Sequence, residues 1–277
     1  MALEFYRVLV LLLITTILLG CQGQSASNNS ITPVPVNSAI AQNSSDSDGV
    51  SSQPQRVTIE SRDKTIIVGS FFESRKPNSP AVLLLHQWQS DRHSFDDFAK
   101  RMQAKGFNVL SIDGRGFGES MKTADGKMVA PERTDDAVKA MLGDVGAAVD
   151  FLAKQKSVDL NRIGIVGASY GSSLAIIYAA DNPKIKSVAL LSPGINYFGN
   201  MQTEPAVKKF GDRPLLMVAA EDDKESADAV RELQKAGASN KCQTQIFQTG
   251  GHGTGIFQAK VGLQDQLAQF LTNNLQK

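Results

Sequence analysis

Gly167-Ala168-Ser169-Tyr170-Gly171 is the stretch of this 277-residue chain whose residue types could do covalent chemistry. It follows the apolar run Arg162-Ile163-Gly164-Ile165-Val166 and precedes a helix-like segment over residues 172–180. A serine on a sharp strand-to-helix turn is held in a strained backbone conformation. Small residues two places to either side let the neighbouring chain approach closely. The hydroxyl then stands clear of the sheet, and the Tyr170 N–H at the helix start points at the oxygen of a bound carbonyl. Gly-Ser loops of no consequence share the pattern, so the strand before it and the helix after it carry the reading. The chemistry expected of Ser169 is acyl transfer.

A serine hydroxyl is a poor nucleophile until a base takes its proton, and that base works best when a carboxylate orients it. Only three histidines are available. His86 ends an apolar run upstream, and His93 stands between charged neighbours at a helix start, as a solvated residue would. His252 lies in Gly250-Gly251-His252-Gly253, after a strand-like segment near the chain end. Glycines there let a side chain swing over a strand end without a backbone clash, which makes His252 the candidate base. The acid is expected after the strand at 215–219, where Glu221, Asp222 and Asp223 cluster. One of them should face the site while the others act as helix N-terminal charges. Both Asp222 and Asp223 are open on this ground alone.

The elements that must carry these groups alternate along the chain. Residues 57–59 and 64–72 read as a β-hairpin, and 81–85 as a strand buried on both faces. A helix over 94–105 ends at Gly106, and a strand over 107–112 follows. Thr134 is a natural N-cap for a long amphipathic helix over 134–155. Strands at 162–168, 185–191, 215–219 and 244–248 then alternate with helices at 172–180, 224–235 and 256–273. That alternation predicts an α/β fold: one domain, eight strands in a mostly parallel sheet, the first pair antiparallel, helices on both faces. Reactive groups in such sheets collect at the carboxyl ends of the strands.

The ends of the chain predict export. Arg7 precedes an apolar run over 8–19, shorter than the roughly 20 residues that span a bilayer, and this suits a signal segment over 1–20. Leu18-Leu19-Gly20-Cys21 resembles the bacterial lipobox, in which cleavage leaves Cys21 as a lipidated first residue. A plain cleaved signal or an uncleaved anchor is the alternative. The expectation is a membrane-anchored lipoprotein facing the periplasm or cell exterior, with the membrane as partner through Cys21. Residues 21–55 are rich in Ser, Asn and Gln and read as a flexible tether, leaving 56–277 as the folded domain. Cys242 has no partner in the chain if Cys21 carries lipid, and is expected to be a packed strand residue. A net charge of +1 without a basic patch argues against nucleic acid. No Cys/His cluster has metal-ligand spacing, so no metal is expected.

From about Val57 onward the chain resembles the α/β-hydrolase superfamily, whose serine, acid and histidine occur in that order. Leu83-Leu84-Leu85-His86 resembles the strand ending in the family's His-Gly oxyanion loop, and Asp113-Gly114-Arg115-Gly116-Phe117-Gly118-Glu119-Ser120 resembles its D-x-R-G-x-G-x-S loop. Gly167 to Gly171 matches the nucleophile elbow. In the segment from Pro214 to Asp223 the resemblance puts the acid three residues past Ala220, which implies Asp223. It also implies an oxyanion hole built from the N–H groups of Trp88 and Tyr170, with His86, Asp113 and Arg115 holding loops. Gln87 stands where the family has glycine. The Trp88 indole either walls the acyl pocket or packs on the surface. The insert at 192–214 is short, as in the lidless dienelactone-hydrolase-like and acyl-esterase members, and Tyr197 and Phe198 could reach its mouth. The resemblance implies a serine esterase for a small-molecule ester, needing no cofactor. A peptidase or acyltransferase with the same triad, or an inactive tethered binding module, are the rivals.

Overall fold

The computed structural model describes residues 53–237 and 241–276. The expected signal segment 1–20, the lipidation candidate Cys21 and the tether through residue 52 lie outside the described residues. Strands β1 (Gln55–Glu60) and β2 (Ile66–Phe72) form the expected antiparallel hairpin, and Asp63 in its turn accepts a 3.1 Å hydrogen bond from the Thr65 N–H. β3 (Ser79–Leu85) is buried along its whole length. After a short 3-10 turn at Arg92–Phe95 come α1 (Asp96–Ala104) and β4 (Asn108–Ile112). Thr134 caps α2 (Asp135–Ala153) by accepting from the Ala137 N–H at 3.1 Å. β5 (Val158–Ala168), α3 (Tyr170–Asp181) and β6 (Ile185–Leu191) follow.

The segment after β6 holds more than the short helix its length suggested. A two-residue hairpin, β7 (Asn196–Tyr197) with β8 (Met201–Gln202), precedes α4 (Thr203–Phe210). Its turn uses left-handed φ values of 60° at Phe198 and 80° at Gly199. The remaining elements are β9 (Leu215–Ala220), α5 (Lys224–Ala236), β10 (Cys242–Phe247) and α6 (Leu263–Leu275). The last helix starts later than its apolar residues implied. Ile256 and Phe257 belong to a 3-10 turn at Gly253–Phe257, where Phe257 packs on Phe95 and Phe98 at 5.9 and 5.7 Å. Left-handed Lys260 and Gly262, at 54° and 80°, then break the chain before α6 begins.

The main sheet has eight strands in the order β1-β2-β4-β3-β5-β6-β9-β10. Only β2 runs antiparallel to its neighbours β1 and β4; every other pair is parallel. Successive residues of β3 serve opposite cores because side chains alternate along a strand. Leu83 and Leu85 join Leu110, Ile165, Val149, Leu152 and Leu174, under α2 and α3. Val82 and Leu84 join Val109, Val166, Phe98, Met102 and Leu271, under α1 and α6. Each such fully buried aliphatic side chain contributes roughly 1.5–3 kcal/mol relative to exposure. Two packed layers therefore clamp the sheet, and the loops following β5, β9 and β10 emerge along its carboxyl edge. The eight-stranded, mostly parallel α/β architecture is the one the sequence predicts.

Candidate active site

Ser169 sits between β5 and α3 with φ 54° and ψ −125°, a conformation that L-residues adopt only where the surroundings enforce it. Its backbone N–H donates to Leu191 O in β6 at 2.8 Å, and its carbonyl accepts from the Ser172 N–H at 2.8 Å and the Ser172 hydroxyl at 2.5 Å. Crossing of strand and helix explains the flanking glycines. A Cβ on Gly167 would stand 2.1 Å from Gly171 O, and one on Gly171 would stand 2.6 Å from both Leu85 O and His86 O. Neither clash can be relieved by a side-chain rotation, because every obstructing atom is backbone.

His252 and Asp223 come together from elements 29 residues apart: His252 Nδ1 lies 2.7 Å from Asp223 Oδ2. Asp223 is the residue before α5, and its backbone N–H closes a turn onto Ala220 O at 3.0 Å. Its carboxylate caps no helix N–H and is free to meet the imidazole. Asp222 turns elsewhere, accepting the N–H groups of Gly250 and Gly251 at 3.0–3.1 Å. Those backbone donors hold the Asp222 carboxyl below its ordinary range. Glu221 pairs with Arg231 instead. His252 is about half exposed, whereas the Asp223 side chain is largely covered. No hydrogen bond joins the Ser169 hydroxyl to His252 in this structure.

Three side chains fix the loop that carries His252. Besides Asp222, the buried Ser192 hydroxyl accepts from the Gly253 N–H at 2.9 Å. Gln87 Oε1 accepts from the Thr254 hydroxyl at 2.9 Å and from the Thr254 N–H at 3.3 Å. Gln87, which stands where glycine was expected, thus ties the loop after β3 to the loop after β10. Sequence reasoning missed this role, as it missed those of Ser192 and Thr254. The partners lie 61 and 167 residues away, and only the departure from glycine at position 87 hinted at one of them.

His86 is buried, donates from Nδ1 to Gln87 O at 2.7 Å and accepts the Gly114 N–H on Nε2 at 2.8 Å. Both ring nitrogens are engaged with backbone, and burial lowers the pKa, so the ring is a neutral brace. The loop it braces places its left-handed residue at Gln89, φ 59°, rather than at Gln87. Among the described residues the backbone N–H groups of Trp88 and Tyr170 donate to no protein acceptor. The Trp88 indole packs edge-on against Phe117, Tyr170 and Phe198 at 4.8, 5.4 and 4.8 Å. Arg133 covers this cluster, its guanidinium carbon 4.8 Å from the Trp88 ring and 4.9 Å from the Phe198 ring. The Tyr197 hydroxyl donates to Ser192 O at 2.9 Å. The hydroxyl is thereby anchored one residue past Leu191, whose carbonyl takes the Ser169 N–H, and burial raises the phenol pKa.

Asp113 and Arg115 hold loops. Buried Asp113 accepts the N–H groups of Arg92 and Glu119, each at 2.8 Å, and pairs with the Arg92 guanidinium. Arg115 grips Asp144 through Nε at 2.6 Å and Nη2 at 2.7 Å, and Asp63 through Nη1 at 2.7 Å. His93 is exposed, with Nδ1 2.9 Å from Asp96.

Comparison with known proteins bears on the fold. The family described as "Serine aminopeptidase, S33" matches residues 76–210, a span containing Ser169 but ending before Asp223 and His252. "Uncharacterized protein Rv2307c" of Mycobacterium tuberculosis is 29% identical over 138 residues, 50% of this chain and 44% of that protein. The chain thus spans less than half the length of that relative. The esterase Pf2001 of Pyrococcus furiosus superposes with a TM-score of 0.64 at 17% identity, covering 80% of this chain and 93% of the esterase. The dienelactone hydrolase of Anabaena variabilis gives a TM-score of 0.61 at 16% identity, covering 80% of this chain and 99% of that enzyme. The sheet order, the strained serine turn and these superpositions together identify the architecture as the α/β-hydrolase fold.

Proposed function

We propose that this chain is a serine hydrolase that cleaves carboxylic esters through an acyl-enzyme on Ser169. The observation that carries the reading is the strained Ser169 turn at the carboxyl edge of the same sheet whose other loops join Asp223 to His252 at 2.7 Å. The esterase and dienelactone hydrolase that share the fold support ester chemistry over other uses of it.

In this mechanism Ser169 Oγ attacks the ester carbonyl carbon while His252 Nε2 takes its proton. Asp223 accepts the His252 Nδ1–H, which fixes the tautomer and stabilises the imidazolium. The N–H groups of Tyr170 and Trp88 receive the oxyanion, each worth on the order of 3 kcal/mol in the barrier. Collapse expels the alkoxide, protonated by His252, and leaves the acyl group on Ser169. Water, deprotonated in turn by His252, then attacks the acyl-enzyme and frees the acid. No hydrogen bond yet links Ser169 to His252, so substrate binding must draw the two together; such contacts often tighten only in the complex.

Ser169→Ala is expected to lower kcat by on the order of a millionfold, as when such a triad acts as a unit. A fluorophosphonate probe should label wild-type Ser169 and leave the variant unlabelled. Near-normal ester hydrolysis by folded Ser169→Ala overturns the assignment. The match to the serine aminopeptidase family over 76–210 favours a peptidase as the second reading. Release of an arylamine from aminoacyl arylamides faster than alcohol from matched esters would establish it.

A further inference from the structure

Arg133 is placed to read charge on the substrate. Its guanidinium lies in the notch between the Trp88 and Phe198 rings, whose centroids are themselves 4.8 Å apart. The main chain beneath it is fixed, because Asn200 Nδ2 donates to Arg133 O at 3.1 Å and to Asp135 Oδ1 at 2.9 Å. The nearest carboxylate in sequence on the helix side is thereby occupied, and Asp136 pairs with Lys139 at 3.2 Å. Among the described residues no carboxylate pairs with Arg133 and nothing accepts from its guanidinium, so the donor fork is free. A fork stacked on aromatic faces is pre-organised: less side-chain freedom is lost when it takes a ligand, and its planar geometry matches a carboxylate.

The position of those rings links the cation to the elbow. Trp88 touches Tyr170, the residue after Ser169, and Phe198 follows Tyr197, whose hydroxyl donates to Ser192 O, one residue past the Leu191 carbonyl that takes the Ser169 N–H. The guanidinium therefore stands one aromatic ring behind the place where the scissile carbonyl is expected. A neutral acyl chain running along the Trp88 wall would leave this cation unused. A chain ending in a carboxylate would reach it and form a charge-assisted, bidentate pair.

Building on the ester-hydrolase reading, we propose that Arg133 selects hemiesters of dicarboxylic acids, binding the free carboxylate while Ser169 attacks the esterified end. Water then adds across the ester bond: the alcohol leaves with the proton from His252, and the dicarboxylate departs from Arg133.

Monomethyl glutarate and dimethyl glutarate differ in that one charge. The ratio of their kcat/KM values, monoester over diester, is expected to fall about tenfold or more in Arg133→Gln and further in Arg133→Glu, mainly through KM. Added salt should lower the wild-type ratio in the same direction. A ratio that stays within twofold of wild type in both variants overturns the proposal. Trp88 is the single tryptophan of the chain, which gives a readout independent of turnover. In a Ser169→Ala background, monomethyl glutarate should change its fluorescence saturably, and dimethyl glutarate should not. Adding Arg133→Gln should abolish the change; an undiminished response overturns the proposal. The two readings fail separately. Loss of the charge preference with Ser169-dependent hydrolysis intact removes only the role of Arg133, whereas Arg133-dependent binding without any hydrolysis removes only the esterase.

Discussion

Two adjacent carboxylates after β9 do different work because a turn points them apart. Asp223 closes that turn through its N–H to Ala220 O and presents Oδ2 to His252 Nδ1 at 2.7 Å. Asp222 faces back across the edge of the sheet and gathers the N–H groups of Gly250 and Gly251. One carboxylate thus touches the imidazole and the other touches the loop that bears it. On the proposed mechanism, Asp223→Asn removes the negative charge facing Nδ1 and favours the wrong tautomer, so kcat should fall by about 10⁴ with the melting temperature little changed. Asp222→Ala should do the reverse in proportion: a lower melting temperature from two orphaned backbone donors, with a milder loss of kcat. Steady-state kinetics beside thermal melts of both variants separate the roles. A larger loss of kcat in Asp222→Ala would exchange them.

At the scale of elements, the elbow depends on how closely β5, α3 and the end of β3 can cross. Gly171→Ala puts a methyl 2.6 Å from Leu85 O and His86 O, so α3 must shift away from the loop that carries Trp88. On the proposed mechanism that displacement parts the two N–H groups that receive the oxyanion, those of Tyr170 and Trp88, and misplacement by about 1 Å costs on the order of a hundredfold in rate. Ester hydrolysis by Gly171→Ala should fall at least that far, with a lowered melting temperature; wild-type kinetics would show that the crossing has slack. The strand–serine–helix unit was legible in the sequence because its requirements are local. Apolar runs marked β3, β6 and β9, and the glycines around Ser169 marked the crossing. Thr134 was legible as a cap for the same reason. Elements shaped by distant contacts were not. The β7–β8 hairpin is too short to show a period, and Ile256 looks helical until Phe257 is seen anchored on Phe95 and Phe98. The bond from Gln87 to Thr254 spans 167 residues, and no spacing rule connects them. Arg133 likewise gains meaning only when Trp88 and Phe198 meet beneath it.

Across the whole molecule, ionic ties join segments that the sheet alone leaves independent. Arg115, in the loop after β4, bridges Asp63 in the β1–β2 turn and Asp144 in α2. Glu119, in the same loop, receives Arg56 from β1 and Arg92 from the turn before α1. The hydrogen bond from Arg115 holds the Asp63 carboxyl down from its ordinary 3.8 to about 2. Arg56 and then Arg92 lower Glu119 from 4.5 to about 2. Both groups therefore bind protons more tightly in the unfolded chain than in the folded one. Their stabilising contribution is present in full above about pH 4.5, and it drains away as pH falls toward 2. Both carboxylates are substantially exposed, so solvent and salt screen the effect and the slope should flatten in high salt. Urea midpoints measured between pH 5 and about 2 should drop more steeply for wild type than for Asp63→Asn/Glu119→Gln. The double variant is expected to start from a lower midpoint at neutral pH, since it forfeits the ion pairs, and to converge on wild type near pH 2. Parallel curves across that range would mean that other carboxylates set the acid limit of the fold.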